Sequence, residues 1–250
     1  MSHILIHIPH SSKKIPAQYR DQMTLSDFEL ANELLKITDH YVDDLFDIPG
    51  CIFQYNSMSR LVMDPERFRD DKKELMSREG MGLAYTKTSD GKLLRNLTDL
   101  ERDEIVRALY DPYHDDLTNK VDAILSRYNK CLIFDAHSFP SKPLPYEHKS
   151  EAESNRADIC LGYSDYHAGS DLIKAVDEYF NLRLGLLVTH NDPFSGSIVP
   201  FKYYLSDKRV QSIMVEINRS LYMDEATGQK LPEFTKVHEM IRGLFDKIQQ

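Results

Sequence analysis

Residues Cys131 to Pro140 read CLIFDAHSFP. Four apolar residues in a row, aliphatic and aromatic, have the length and content of a strand buried on both faces. The run passes directly into Asp135, His137 and Ser138 before Pro140 stops it. Two readings of that polar end are open. One is an ordinary strand terminus with a hydrogen-bonded histidine; the other is a site that needs Asp135 and His137 side by side at the edge of a sheet.

Working outward, similar short apolar runs predict strands at His3 to Ile8, Cys51 to Tyr55, Arg60 to Met63, Asp158 to Leu161, Leu184 to Thr189 and Ser212 to Ile217. Helical periodicity falls between them, at Ser26 to Ile37, Asp39 to Phe46, Asp99 to Arg127, Asp171 to Phe180 and Pro232 to Ile248. The third helix opens on Thr98 with Glu101 three residues on, a capping box, and Pro112 should kink or divide it. Alternating strands and helices predict an α/β fold: a single domain over residues 1–250, with a central mixed, mostly parallel sheet flanked by helices. Asp70 to Leu97 and Ser138 to Arg156 read as long loops. His190 to Pro200, HNDPFSGSIVP, reads as a lid.

With 250 residues and 41% hydrophobic content the chain can bury a large core. Its net charge of −9, with acidic and basic residues interspersed, offers no basic stripe for nucleic acid. Cys51, Cys131 and Cys160 are far apart and form no C-x-x-C pair, which fits reduced thiols in a cytoplasmic protein. The N-terminus MSHILIHIPHSS has no basic region and only a short apolar run, so it reads as part of the fold and not as a signal peptide or membrane span.

Three predicted strands end alike: ILIHIPHSS in His10, CLIFDAHSF in His137 and SIMVEINRS in Glu216. Ligands in open α/β sheets gather at the carboxyl ends of strands, so these residues converge if their strands are parallel neighbours. Two histidines with a carboxylate are the ligand set of a catalytic zinc. The competing account leaves every histidine, His7 among them, as an ordinary core or surface residue. In TDHYVDDLF, Thr38 as N-cap places Asp39 in a first helical turn and Asp43 one turn later, where acids commonly satisfy a helix N-terminus. NSMSRLVMDPERF sets Arg60, Asp64, Glu66 and Arg67 around a short strand, either as a surface ion network or as an anion-binding pair.

The ordered set IPHSS, TDHYVDDLF, SRLVMDPERF, FDAHSFP, NDPFSGS and VEINRSLYMD, from about His7 to Asp224, resembles the N-formylglutamate amidohydrolase family. That family is related in fold to the zinc carboxypeptidases and to the succinylglutamate desuccinylase and aspartoacylase group. The resemblance implies one Zn2+, other divalent metals being open, with His10 and His137 as ligands and Glu216 as general base. Carboxypeptidases carry H-x-x-E, but Lys13 stands at that position here. The resemblance then gives the carboxylate ligand to Asp39, with Glu66 as the alternative and Asp43 a lesser one. It makes Arg60 and Arg67, oriented by Asp64, the substrate-carboxylate site, brings Asn191 and Gly196 to the substrate as parts of the lid, and lets Asp135 support His137. The implied reaction is hydrolysis of N-formyl-L-glutamate to formate and L-glutamate, suited to histidine breakdown. The implied partner is a small acidic N-acyl amino acid, with no nucleic acid or membrane, bound by a monomer or small homo-oligomer. The alternatives are an amidase or peptidase for another N-acylated substrate and an inactive binding protein of the same fold.

Overall fold

The computed structural model describes residues 2–147 and 156–249. Its centre is a six-stranded sheet of β1 (Ile4–Ile8), β2 (Ile52–Tyr55), β3 (Cys131–Phe139), β4 (Ile159–Gly162), β5 (Val188–His190) and β6 (Val210–Asn218), in the spatial order β2-β1-β3-β6-β4-β5. The pairs β2 with β1, β1 with β3, β3 with β6 and β4 with β5 are parallel; β4 runs antiparallel to β6. The three strands that end in His10, His137 and Glu216 are therefore parallel neighbours at the middle of the sheet.

Residues directly opposite one another in paired strands share a face. On one face the rows run Leu5–Ile133–Ser212, then His7–Asp135–Met214, then His137–Glu216–Cys160. Leu5 and Ile133 of the first row pack beneath Leu117, Val121 and Ile124 of the long helix α5 (Asp111–Tyr128). The polar rows lie further toward the carboxyl ends and open into a cleft. The opposite face is largely apolar, with Ile4, Ile6, Ile8, Phe134, Ile213, Val215 and Ile217 in one core with the C-terminal helix's Ile241, Leu244 and Phe245. One sheet thus carries a core on one side and a core that turns into a site on the other.

The helices are α1 (Ala17–Arg20), α2 (Asp27–Ile37), α3 (Val42–Leu45), α4 (Asp99–Ile105), α5, α6 (Ser170–Glu178) and α7 (Phe234–Ile248); β7 (Met223–Asp224) and β8 (Gln229–Lys230) form a small hairpin. Capping boxes start α2 at Ser26 with Glu29 and α4 at Thr98 with Glu101. A π turn over Val106–Tyr110 joins α4 to α5 without a break, so Pro112 is absorbed by one widened turn just before it.

Four local expectations are corrected. Cys131 to Phe134 is only the first half of β3, so Asp135 and His137 lie within the strand. The expected strand at Leu184 to Thr189 is confined to Val188–His190. Arg60 to Met63 is a turn: the Val62 N–H donates to Ser59 O, and Leu61, Val62 and Met63 pack against Leu30, Ile37, Leu94 and Ile105. Its apolar run reported burial beside helices and not membership of the sheet. Thr38 ends α2 and does not start a helix; Asp39 and His40 form a turn, Tyr41 is left-handed at φ 63°, and only Val42–Leu45 is helical. Asp43 consequently points to solvent.

Candidate metal centre and catalytic cleft

The cleft at the carboxyl edge has a volume of about 500 Å³. His10, Asp39, Arg60, Glu66, Arg67, Asp135, His137, Gly196, Glu216 and Arg219 all line it. His10 follows β1 after Pro9, and the Asp39 N–H donates to His10 O at 3.0 Å, which clamps the turn after α2 beside the end of β1. The apolar turn Leu61–Met63 anchors the segment carrying Arg60, Asp64, Glu66 and Arg67.

Hydrogen bonds fix the histidine tautomers. The Asp64 carboxylate lies 2.8 Å from His10 Nε2 and can only accept, so the proton is on Nε2 and the lone pair on Nδ1. That Nδ1 is buried and has no hydrogen-bond partner among the described residues. His137 has a carboxylate at each nitrogen, Asp135 Oδ1 at 3.0 Å from Nε2 and Asp39 Oδ2 at 3.1 Å from Nδ1, so the ring is held as the doubly protonated imidazolium, and loss of the Nδ1 proton turns a lone pair toward Asp39. Asp39 Oδ2 is in turn 3.8 Å from His10 Nδ1. Three electron-rich atoms therefore converge, spaced like the edges of a coordination shell with bonds of about 2.0–2.2 Å. The other Asp39 oxygen accepts from Arg219 Nη2 at 2.9 Å, while the Arg219 guanidinium also holds Ser138 O and Lys36 O.

A second group of possible ligands, His7, Glu66, Asp135 and His137, is internally satisfied. The Tyr113 hydroxyl donates to His7 Nε2 at 2.6 Å, and His7 Nδ1 donates to Asp135 Oδ1 at 2.7 Å. Asp135 Oδ2 accepts from the Ile198 N–H at 3.0 Å, and the Ser197 hydroxyl lies 3.4 Å away. Asp135 accepts from the His137 ring and from the end of the 191–198 loop, so one carboxylate joins the two. The residues fit one metal at His10, Asp39 and His137, where an orphaned buried nitrogen needs a partner. Glu66 flanks this position, its Oε2 being 3.2 Å from His137 Nε2 and 3.8 Å from His10 Nδ1.

The electrostatics agree. Burial alone would raise the Asp39 carboxyl, but His10, His137 and Arg219 hold it well below the usual range. Burial would lower His137, yet Glu66 and Asp135 hold it well above an ordinary histidine, and Asp64 and Asp39 likewise raise His10. The pocket is built to hold positive charge, as a proton or as a metal. Glu216 sits beside it with a buried, unpartnered Oε2, and burial, only partly offset by His137, pushes its carboxyl up to about 7.

Next to the histidines, Asp64 is fully buried and accepts at Oδ2 from Arg60 Nη2 at 2.8 Å and from the Tyr85 hydroxyl at 2.9 Å. Arg67 Nε is 3.5 Å from the same oxygen and has no hydrogen-bond partner among the described residues. Two guanidiniums thus face the cleft with one carboxylate between them. Asn191 stands behind the cleft lining, where its side-chain oxygen accepts from the Tyr163 and Gly196 N–H groups and shapes the loop. His7, Tyr113, Tyr85 and Arg219 received no role from sequence. Arg219 had one available signal, its position three residues after Glu216.

A mostly parallel α/β sheet whose central strands deliver two histidines, an aspartate and a glutamate to one cleft has the build of a hydrolase. The family model for N-formylglutamate amidohydrolase matches residues 2–223, and the chain belongs to that family. An N-formylglutamate deformylase from Pseudomonas putida is 24% identical over 230 residues, 89% of this chain and 82% of the relative. The fold is that of the N-formylglutamate amidohydrolase from Ralstonia eutropha JMP134, with a TM-score of 0.83, 24% identity, and coverage of 98% of this chain and 92% of the other. The gene product Atu2144 from Agrobacterium tumefaciens also superposes, with a TM-score of 0.64, 20% identity, and coverage of 99% and 92%. Among the described residues no helix is long and apolar enough to cross a membrane.

Proposed function

We propose that the chain hydrolyses the formyl amide of N-formyl-L-glutamate, giving formate and L-glutamate, with a divalent metal, zinc first, held by His10 Nδ1, Asp39 Oδ2 and His137 Nδ1. The observation that carries this reading is the unpartnered His10 Nδ1 converging with Asp39 and His137, one cleft wall away from an unpartnered Glu216. A metal held there supplies Lewis acidity, activating water near neutral pH and polarising the carbonyl.

The chain's own groups do the remainder. Glu216 takes a proton from the attacking water and returns it to the departing nitrogen as the C–N bond breaks. Arg67 and the free edge of Arg60 hold a substrate carboxylate by charge-assisted hydrogen bonds. Gly196, Ser197 and Phe194 wall the cleft from the loop side and limit the entry of water.

A second substrate reading rests on the rim. Phe68, Phe201 and Tyr204 are exposed and line the same cleft, which suits an N-acyl amino acid with an apolar group. Turnover of N-formyl, N-acetyl, N-succinyl and aromatic N-acyl amino acids by protein of measured metal content tests both. Preferential formate release from N-formylglutamate supports the first, faster turnover of an apolar N-acyl substrate supports the second, and metal-loaded protein inert toward all of them overturns both.

A further inference from the structure

Asp64 is bonded on both sides to groups with different tasks. Its Oδ1 accepts from His10 Nε2 at 2.8 Å, on the ring whose other nitrogen faces the metal position. Its Oδ2 accepts from Arg60 at 2.8 and 3.2 Å and from Tyr85 at 2.9 Å, and lies 3.5 Å from Arg67. The Glu66 N–H, donated to Oδ1 at 3.1 Å, fixes the carboxylate plane. The side chain is fully buried, so water does not screen one side from the other. Arg60, Arg67 and His10 hold its carboxyl well below the usual range despite burial, so it remains an anion shared between them.

We propose that Asp64 couples recognition of the substrate carboxylate to metal affinity, a positioning role that rests on the metal-dependent reading above. A carboxylate docking on Arg60 and Arg67 draws guanidinium charge away from Asp64 Oδ2. The freed electron density strengthens the bond that Oδ1 accepts from His10 Nε2–H, and a better acceptor there makes His10 Nδ1 a stronger donor to the metal. In reverse, metal on Nδ1 makes Nε2–H more acidic and pulls Asp64 toward His10, which releases the arginines for substrate. Thermodynamic reciprocity makes the two effects equal in free energy. Through-space attraction between metal and carboxylate acts in addition, but does not pass through Asp64.

The test is a linkage cycle with Zn2+ and glutarate, a dicarboxylate that lacks the chelating amine of glutamate. Zn2+ affinity is measured against a competing chromophoric chelator, with and without saturating glutarate, in the wild-type chain and in Asp64→Asn. The neutral amide can serve only one of the two sides. Glutarate should tighten Zn2+ binding about 10-fold or more in the wild type, within the about 5–150-fold range of such couplings, and less than about 3-fold in the variant. Undiminished coupling in Asp64→Asn overturns the proposal, as does independent binding of both ligands to the wild type. If the variant does not fold, the metal-free wild type decides: glutarate should move the His10 Nε2–H proton resonance downfield, and an unmoved resonance overturns the relay. Failure to bind Zn2+ at all would instead remove the metal-dependent reading. Coupling without hydrolysis would remove only the proposed reaction.

Discussion

His137 and Glu216 face each other across β3 and β6 as directly paired residues of two parallel strands. Their separation is set by the strand spacing of about 4.8 Å and not by loop packing, which places a proposed metal ligand and a carboxylate on paired strands at the centre of the sheet. The long pairing between β3 and β6, from Cys131 with Val210 to Phe139 with Asn218, defines their register.

Replacing Glu216 by Gln keeps the shape and removes the proposed base. Turnover should fall by about 10²–10⁴-fold, with metal content unchanged. Steady-state kinetics alongside metal analysis check this, and an unaltered kcat would remove Glu216 from proton transfer. In the wild type, the carboxyl raised to about 7 must be ionised to act, so activity is present above that range and is lost as pH falls through it. A bound dication favours the carboxylate and moves this acid limb lower.

Metal affinity should depend on pH in the same sense. His137 and His10 are held above an ordinary histidine by the surrounding carboxylates, so at neutral pH protons compete for the nitrogens the metal needs. Zn2+ binding should release protons and should weaken as pH falls through these raised values. Calorimetry in buffers of different ionisation enthalpy measures the release; the absence of any would argue against histidine ligation.

Arg219 is buried and is bonded to Asp39, Ser138 and the Lys36 carbonyl, joining the end of β6 to β3 and to the end of α2. Arg219→Met leaves Asp39 buried without its guanidinium and should cost about 3–5 kcal/mol of stability. Denaturant unfolding of the metal-free protein gives the value. A loss below about 1 kcal/mol would show that the pair contributes like an exposed one.

The central strands were legible because β1, β3 and β6 are apolar runs with no alternative use, and their shared order placed His10, His137 and Glu216 at one edge. The apolar run Leu61–Met63 misled because burial against α2 and α4 leaves the same trace as burial in a sheet. Thr38 was ambiguous since threonine in extended backbone can open a helix or follow one; the Ser26 and Glu29 capping box marked the true start. His7 was illegible for a different reason. Its partner Asp135 lies 128 residues away, and only the β1–β3 register makes them neighbours.

Arg95 gives the last prediction. It is fully buried and makes no ion pair among the described residues, and burial, only partly offset by Tyr19 and Glu101, lowers its guanidinium to about 10. Nε donates to Tyr85 O at 2.9 Å, and Nη2 donates to Leu61 O at 3.0 Å and Val62 O at 2.9 Å. One side chain therefore pins both the turn that carries Arg60 and Asp64 and the segment that carries Tyr85, whose hydroxyl completes the Asp64 cluster. Arg95→Met retains the apolar stem but leaves buried carbonyls unsatisfied, at about 1–3 kcal/mol each where water does not reach them. Arg95 touches none of His10, Asp39 and His137, so the loosened turn reaches the histidines only through the Asp64–His10 bond. KM for the carboxylate substrate should rise about 10-fold or more with a smaller change in kcat, while Zn2+ stoichiometry stays at the wild-type value. Added guanidinium ion should partly restore KM in an Arg95→Ala variant, because the vacated site keeps its carbonyls. A variant with unchanged KM would show that the turn holds its shape without this pin.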